Sequence, residues 1–161
     1  MTKQTKGIPE GLHSLTPHLV LNDASAAIEF YKKAFGAEEI ARMPAPDGKH
    51  IWHAEIRIGN SVLYLNDEAV AMGMKSALTL GASPVTLQLN VEDADAAFKR
   101  ATEAGATAKM PLMDMFWGDR YGQVADPFGY SWGISQRVKD LTPEEMAKAS
   151  EEAAKQYASK K

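Results

Sequence analysis

Four histidines and no cysteine leave imidazole and carboxylate as the groups able to do acid–base or metal chemistry near neutral pH. His53 and Glu55 stand two residues apart, the spacing that places both side chains on one face of a strand. Such a pair can move a proton, with Glu55 or His53 as general base. Joined by His18, it matches a two-histidine, one-carboxylate set for a divalent ion. Hydrogen bonding to a ligand or to one another is the plainer use and the favoured one. His13 and His50 read as solvent-exposed. A second cluster is Phe116-Trp117-Gly118-Asp119-Arg120-Tyr121. Trp117 or Tyr121 offers a face for stacking, and the planar fork of Arg120 suits a carboxylate or phosphate. The alternative is structural: the aromatics plug one end of the fold and Asp119 pairs with Arg120 or caps a turn. Met110, Met113 and Met115 are adaptable gap fillers nearby. No G-x-S-x-G, phosphate-binding glycine loop or H-E-x-x-H occurs.

The elements that carry these residues come in two copies. Thr16–Ala27 aligns with Thr86–Ala97 at a constant offset, and Gly36-Ala37 with Gly105-Ala106 one residue short of it. Two copies make a paired fold, since a solenoid needs three or more. Alternation over 15–22, an N-cap at Asp23, helical spacing to Phe35 and the stop at Gly36 predict strand then helix. Further strands follow at 37–43, 50–58 and 61–66, the last two around a Gly59-Asn60 hairpin loop. The second copy repeats the order: strand 85–91, helix 93–104, then strands at 107–111, 120–125 and 130–135. Asp126-Pro127-Phe128-Gly129 reads as a structural turn. The expected organisation is a polar segment 1–13, one domain over 14–137 (modules 14–67 and 84–137, linker 68–83) and a tail over 138–161. In the tail, Thr142-Pro143-Glu144-Glu145 is a capping box opening a helix to about residue 157, with Met146, Ala149, Ala153 and Tyr157 on a thin apolar face.

Four segments give the chain a family resemblance: residues 26–37 (AAIEFYKKAFGA), 53–59 (HAEIRIG), 116–122 (FWGDRYG) and 126–129 (DPFG). They resemble the vicinal oxygen chelate superfamily of glyoxalase I, bleomycin-resistance proteins and extradiol dioxygenases, within it the PhnB-like branch. The resemblance implies an α+β fold in which two βαβββ modules form a curved mixed sheet, a cup, with a C-terminal helix added here, commonly assembled as a homodimer. Carried onto this chain, the metal positions of metal-dependent members fall on Thr16, Tyr64, Thr86 and Gly133. Neutral Thr, Gly and un-ionised Tyr are poor ligands for a divalent ion. The expectation is therefore no metal and no cofactor.

Alternation then assigns faces. Trp52, Ala54, Ile56 and Ile58 are read as core, as are Tyr130, Trp132 and Ile134. His18, His53, Glu55 and Tyr64 are read as lining the cup, with Asn66 beside them. Thr16, Thr86 and Gln88 join from the first strand of each module, while Ser131, Gly133 and Ser135 leave room for a ligand. With Trp117, Arg120 and Tyr121 these are the candidate ligand-binding residues. A chain of 161 residues, 45% apolar and 24% charged, is an ordinary globular composition. Its net charge of −3 gives no reason to expect nucleic acid. No apolar run predicts a membrane span and no signal-peptide core precedes the fold, so a cytoplasmic setting is expected. The function expected is metal-free binding of a small polar or aromatic molecule in the cup. The alternatives are a glyoxalase- or dioxygenase-type enzyme, with a relocated metal or a His/carboxylate base, and an interaction module with a degenerate cavity.

Overall fold

The computed structural model describes residues 7–158; the expectation for the first six residues lies outside them. Module one runs β1 (His18–Leu21), α1 (Ala24–Phe35), β2 (Glu38–Pro44), β3 (Ile51–Ile58) and β4 (Ser61–Asp67). After a one-turn helix α2 (Ala77–Leu80), module two runs β5 (Thr86–Asn90), α3 (Ala94–Glu103), β6 (Thr107–Asp114), β7 (Asp119–Ala125) and β8 (Ser131–Arg137). The tail helix is α4 (Pro143–Ala158). Each module forms a four-stranded mixed sheet, ordered β1-β4-β3-β2 and β5-β8-β7-β6. The expected α+β architecture of two βαβββ modules and a tail helix is present.

The duplication is visible in how the two helices start. Asp23 and Asp93 both take extended backbone and accept from the N–H three residues on, at 2.8 and 2.9 Å. A second acceptor comes from the last strand of each module: Asp67 Oδ1 receives Ala24 N–H at 2.6 Å, and Gln136 Oε1 receives Ala94 N–H at 3.0 Å. Orphan donors at both helix starts are thus satisfied by side chains from the same relative place. Gly36 closes α1 with φ 67°, the left-handed conformation that glycine adopts without a Cβ penalty.

One continuous core joins the modules. The helices pack on each other, and no strand of one sheet pairs with a strand of the other among the described residues. Phe35 lies 4.4 Å from Trp132 and Phe30 lies 5.9 Å from Phe128, between ring centroids. Across this seam Tyr130 Oη donates to the Val20 carbonyl at 2.9 Å, and Arg100 Nε to the Ala34 carbonyl at 3.0 Å. The turn at 126–129 does more than close a hairpin. Asp126 is buried and accepts from Tyr31 Oη and Trp132 Nε1, both at 2.8 Å, and from the Phe128 and Tyr130 amides, both at 2.9 Å. Burial first, then the Asp126 charge, pushes the Tyr31 phenol well above its usual range.

One expectation of the pattern fails. Trp52 is 63% exposed while Ile51 is buried at 3%. The cause is a register shift: Met43 pairs with His53, but Pro44 pairs with Ile51, so the strand bulges at Trp52 and its side chain turns outward. The segment 68–83 joins the two modules and carries short elements of its own. Residues 70–72 form a turn of 3₁₀ helix, an Ala69–Met74 bridge closes a small loop, and Ser76 caps α2 at 3.2 Å. No helix among the described residues is long and apolar enough to cross a membrane.

Candidate functional site

With both helices in the shared core, the opposite face of each sheet carries the polar residues. On the first sheet, the parallel register sets His18 beside Tyr64, and the antiparallel one sets Glu55 on the other side of Tyr64. His53 packs edge-on against Tyr64 at 4.8 Å, and His18 stands 6.0 Å from Tyr64 and 6.4 Å from His53. His53 Nε2 lies 3.1 Å from Glu55 Oε1, with the side chains 33% and 28% exposed. Four of the predicted residues therefore meet as one half-exposed cluster. Chemically it offers a carboxylate-oriented imidazole beside a phenol, a set that can hydrogen-bond a polar ligand or accept a proton.

The second sheet carries the equivalent cluster with other side chains. Gly133 pairs with Gln88 on one side and Gln123 on the other, so Gln88, Gly133 and Gln123 correspond to His18, Tyr64 and Glu55. Two residues back, Tyr121 corresponds to His53. The space above Gly133 is not free for a ligand: the Gln88 amide oxygen and the Tyr121 ring occupy it, and a Cβ there would meet the Tyr121 oxygen at 2.9 Å. Gln123 Nε2 donates to Tyr121 Oη at 2.7 Å, and Trp117 packs edge-on to Tyr121 at 6.0 Å. Ser135 is buried and donates to Asp119.

The Arg120 guanidinium has acidic partners within the chain. Its fork is held bidentately by Asp95, both contacts at 2.7 Å, and its remaining nitrogen meets Asp114 at 3.1 Å. These bonds lower the Asp95 carboxyl and raise the guanidinium. Asp119 pairs with Arg137 at 2.6 Å rather than with Arg120. Asp95 lies twenty-five residues away on another element, which is why adjacency in sequence suggested the wrong partner.

Thr16 lies just before β1 and shares with Thr86 and Gln88 an inter-module groove of about 890 Å³. His13, at its mouth, is exposed as expected. His50 is exposed too, its Nδ1 2.5 Å from Asp47 Oδ2. That bond, with backbone donors from His50 and Lys49, holds the Asp47 carboxyl down to about 2 and raises His50. A second cavity, of about 520 Å³, lies at the end of the first sheet under residues 69–74 and reaches His53. It follows from the outward turn of Trp52 and the folded linker, and no periodicity announces it.

The side chains present do not fit the metal of the metal-dependent relatives. Tyr64 and Gly133 supply no anionic or imidazole donor, the Gly133 position is overlaid by Gln88 and Tyr121, and Thr16 and Thr86 lie in the inter-module groove, the register setting His18 and Gln88 beside Tyr64 and Gly133 instead. Among the described residues no three His, Asp or Glu side chains gather as an ion requires, the set His18, His53 and Glu55 included.

A sequence profile of the Glyoxalase/Bleomycin resistance protein/Dioxygenase superfamily matches residues 11–134. An uncharacterized protein of Mycobacterium bovis is 49% identical over 139 residues, covering 84% of this chain and 91% of that one. Among solved structures, TioX from Micromonospora sp. ML1 superposes with TM-score 0.61 at 26% identity, over 81% of this chain and all of the other. The PhnB protein from Bacillus cereus gives TM-score 0.61 at 18% identity over 77% of this chain and 99% of its own, which speaks to the fold. With a profile match spanning both modules and the paired βαβββ fold, this chain belongs to the Glyoxalase/Bleomycin resistance protein/Dioxygenase superfamily.

Proposed function

We propose that this protein binds a small polar or aromatic molecule without a metal, in cups that two copies of the chain complete together. One observation carries the reading: within a single chain the polar faces around Tyr64 and around Gly133 lie on separate sheets, outside the common core, so neither is enclosed. A second copy would set one face against the other and create the concave, partly apolar surroundings that small-molecule sites need. His18, His53, Glu55 and Tyr64 would then contribute one wall, and Gln88, Trp117 and Tyr121 the other. Thr16 and Thr86 lie at the inter-module groove, away from the metal role of relatives. A cytoplasmic setting accompanies the proposal.

The test is thermal unfolding of the protein against antibiotics, keto-acids and phosphonates, since a ligand at 100 times its Kd stabilises by about 2.7 kcal/mol. A compound that raises the midpoint, with the gain lost in His53→Ala and Tyr64→Phe, is the expected result. No shift from any of them at millimolar concentration would overturn the reading.

A second reading rests on the 3.1 Å contact between His53 and Glu55. A carboxylate that orients an imidazole is the geometry of a general base, and the protein would then be an enzyme abstracting a proton from bound substrate. Proton–deuteron exchange into a bound ketone, abolished in both His53→Ala and Glu55→Gln, would separate catalysis from binding alone.

A further inference from the structure

The cavity under residues 69–74 carries chemistry of its own. Its walls include the exposed ring of Trp52 and the thioethers of Met43, Met72 and Met74, of which Trp52, Met43 and Met72 are 63%, 55% and 78% exposed. A tryptophan and three methionines lining one cavity supply a ring face and flexible, polarisable thioethers, groups that accept an aromatic ring. At about 520 Å³ the space admits a one- or two-ring molecule.

Two further observations say which ring. Asn66 lines the cavity and is 3% exposed; its Nδ2 donates to the Asp67 carbonyl at 2.7 Å, while its Oδ1 has no hydrogen-bond partner among the described residues. A buried acceptor without a donor is costly and is expected to receive one from whatever fills the space. The charge is one-sided as well. Asp47, Asp67 and Glu68 line the cavity, and among the described residues that line it there is no Lys or Arg, the basic side chains being His50 and His53. Asp67 and Glu68 already accept from backbone donors, Asp67 from Ala24 and Ile51 and Glu68 from Ser76, which fixes both carboxyl groups in place. An anionic ligand is disfavoured there.

We propose that this cavity is a subsite for a flat aromatic group, neutral or cationic, that stacks on Trp52 and donates an N–H or O–H to Asn66 Oδ1. This rests on the small-molecule reading above and narrows it, setting this end of the cup against keto-acids and phosphonates.

Titration calorimetry with three probes tests it: 2-aminobenzimidazole, 1-methylbenzimidazole, which has no N–H, and benzoate. The expected order is 2-aminobenzimidazole tightest, with 1-methylbenzimidazole and benzoate each weaker by about tenfold or more, the worth of one satisfied polar contact or of one misplaced charge. Trp52→Ala, at an exposed position that folding does not need, should weaken 2-aminobenzimidazole by about tenfold. Asn66→Leu should weaken the same probe by a similar factor and leave 1-methylbenzimidazole unchanged. Benzoate binding as tightly as the amine, indifference to Trp52→Ala, or no heat from any probe at millimolar concentration would overturn the subsite. His18→Ala, on the same sheet but outside the cavity, separates the two levels of the argument. Binding lost in His18→Ala and kept in Trp52→Ala removes the subsite and leaves the cup reading standing.

Discussion

Replacing Asp126 tests what holds the modules back to back and so keeps both polar faces outward. Its carboxylate accepts four hydrogen bonds, two from side chains on different modules, Tyr31 on α1 and Trp132 on β8, and two from backbone amides of its own turn. Hydrogen bonds to a charged group contribute about 1.5–3 kcal/mol each, and these are not additive within one carboxylate. Asp126→Ala leaves the Trp132 indole N–H and two amides buried without an acceptor. Removing one side of a buried charged arrangement costs about 3–5 kcal/mol. That is a large part of the roughly 5–15 kcal/mol that holds a domain folded. Asp126→Asn keeps one oxygen for the amides but turns an NH₂ toward two donors. The tyrosine hydroxyl can rotate to accept, the indole cannot, and the expected cost is about 2–3 kcal/mol. Urea unfolding measures both, and a cycle with Tyr31→Phe should show coupling of about 1–2 kcal/mol. If Asp126→Ala stayed within about 1 kcal/mol of wild type at unchanged m-value, the knot would not be what joins the modules.

Three further outcomes follow from the same geometry. Because the Tyr31 phenol is raised in the folded chain, the native state keeps a proton that the unfolded one releases; stability is full below pH 10 and falls above it by up to about 1.4 kcal/mol per pH unit, and Tyr31→Phe should flatten that alkaline limb of the urea midpoint. Arg120→Gln should change the affinity of any ligand found in the thermal panel by less than about twofold, since its fork is already spent on Asp95 and Asp114, and a tenfold loss would restore it as a receptor. Gly133→Ala should cost about 1–3 kcal/mol by urea unfolding through overpacking against Gln88 and Tyr121, with part recovered in the Gly133→Ala, Gln88→Ala pair; a neutral Gly133→Ala would show the space to be free.

Local signals in the sequence reached the fold because their partners are near in the chain. The capping aspartates at 23 and 93, the stop at Gly36 and the Gly59-Asn60 hairpin each act within a few residues, and strand alternation then set His53, Glu55 and Tyr64 on one face. What was not legible depends on contacts from elsewhere. Trp52 leaves the core because of a bulge that exists only when β2 pairs with β3. Gly133 looks like room for a ligand until the neighbouring strands bring Gln88 and Tyr121 over it. The cavity beside Asn66 needs the linker to fold across the sheet end, and its short apolar stretch Ala69-Val70-Ala71-Met72-Gly73-Met74 carries no period that says so.

The two copies have kept their helix starts and diverged on their open faces, and this asymmetry bears on how a second chain would dock. His18, His53, Glu55 and Tyr64 face outward on one module where the other has Gln88, Tyr121, Gln123 and Gly133. The faces lie on separate sheets of one body. If each paired with its own kind, every chain would offer two independent twofold contacts and assembly would run on without closing. Unlike faces meeting reciprocally instead close a dimer with two identical cups, each holding one cluster of each type. The absence of cysteine makes this directly testable. Tyr64→Cys and Gln123→Cys should each give little dimer with a short bismaleimide, whereas the two variants mixed and allowed to exchange should cross-link across one cup. Strong cross-linking of Tyr64→Cys alone, with none gained on mixing, would mean that like faces meet and would remove the proposed cup.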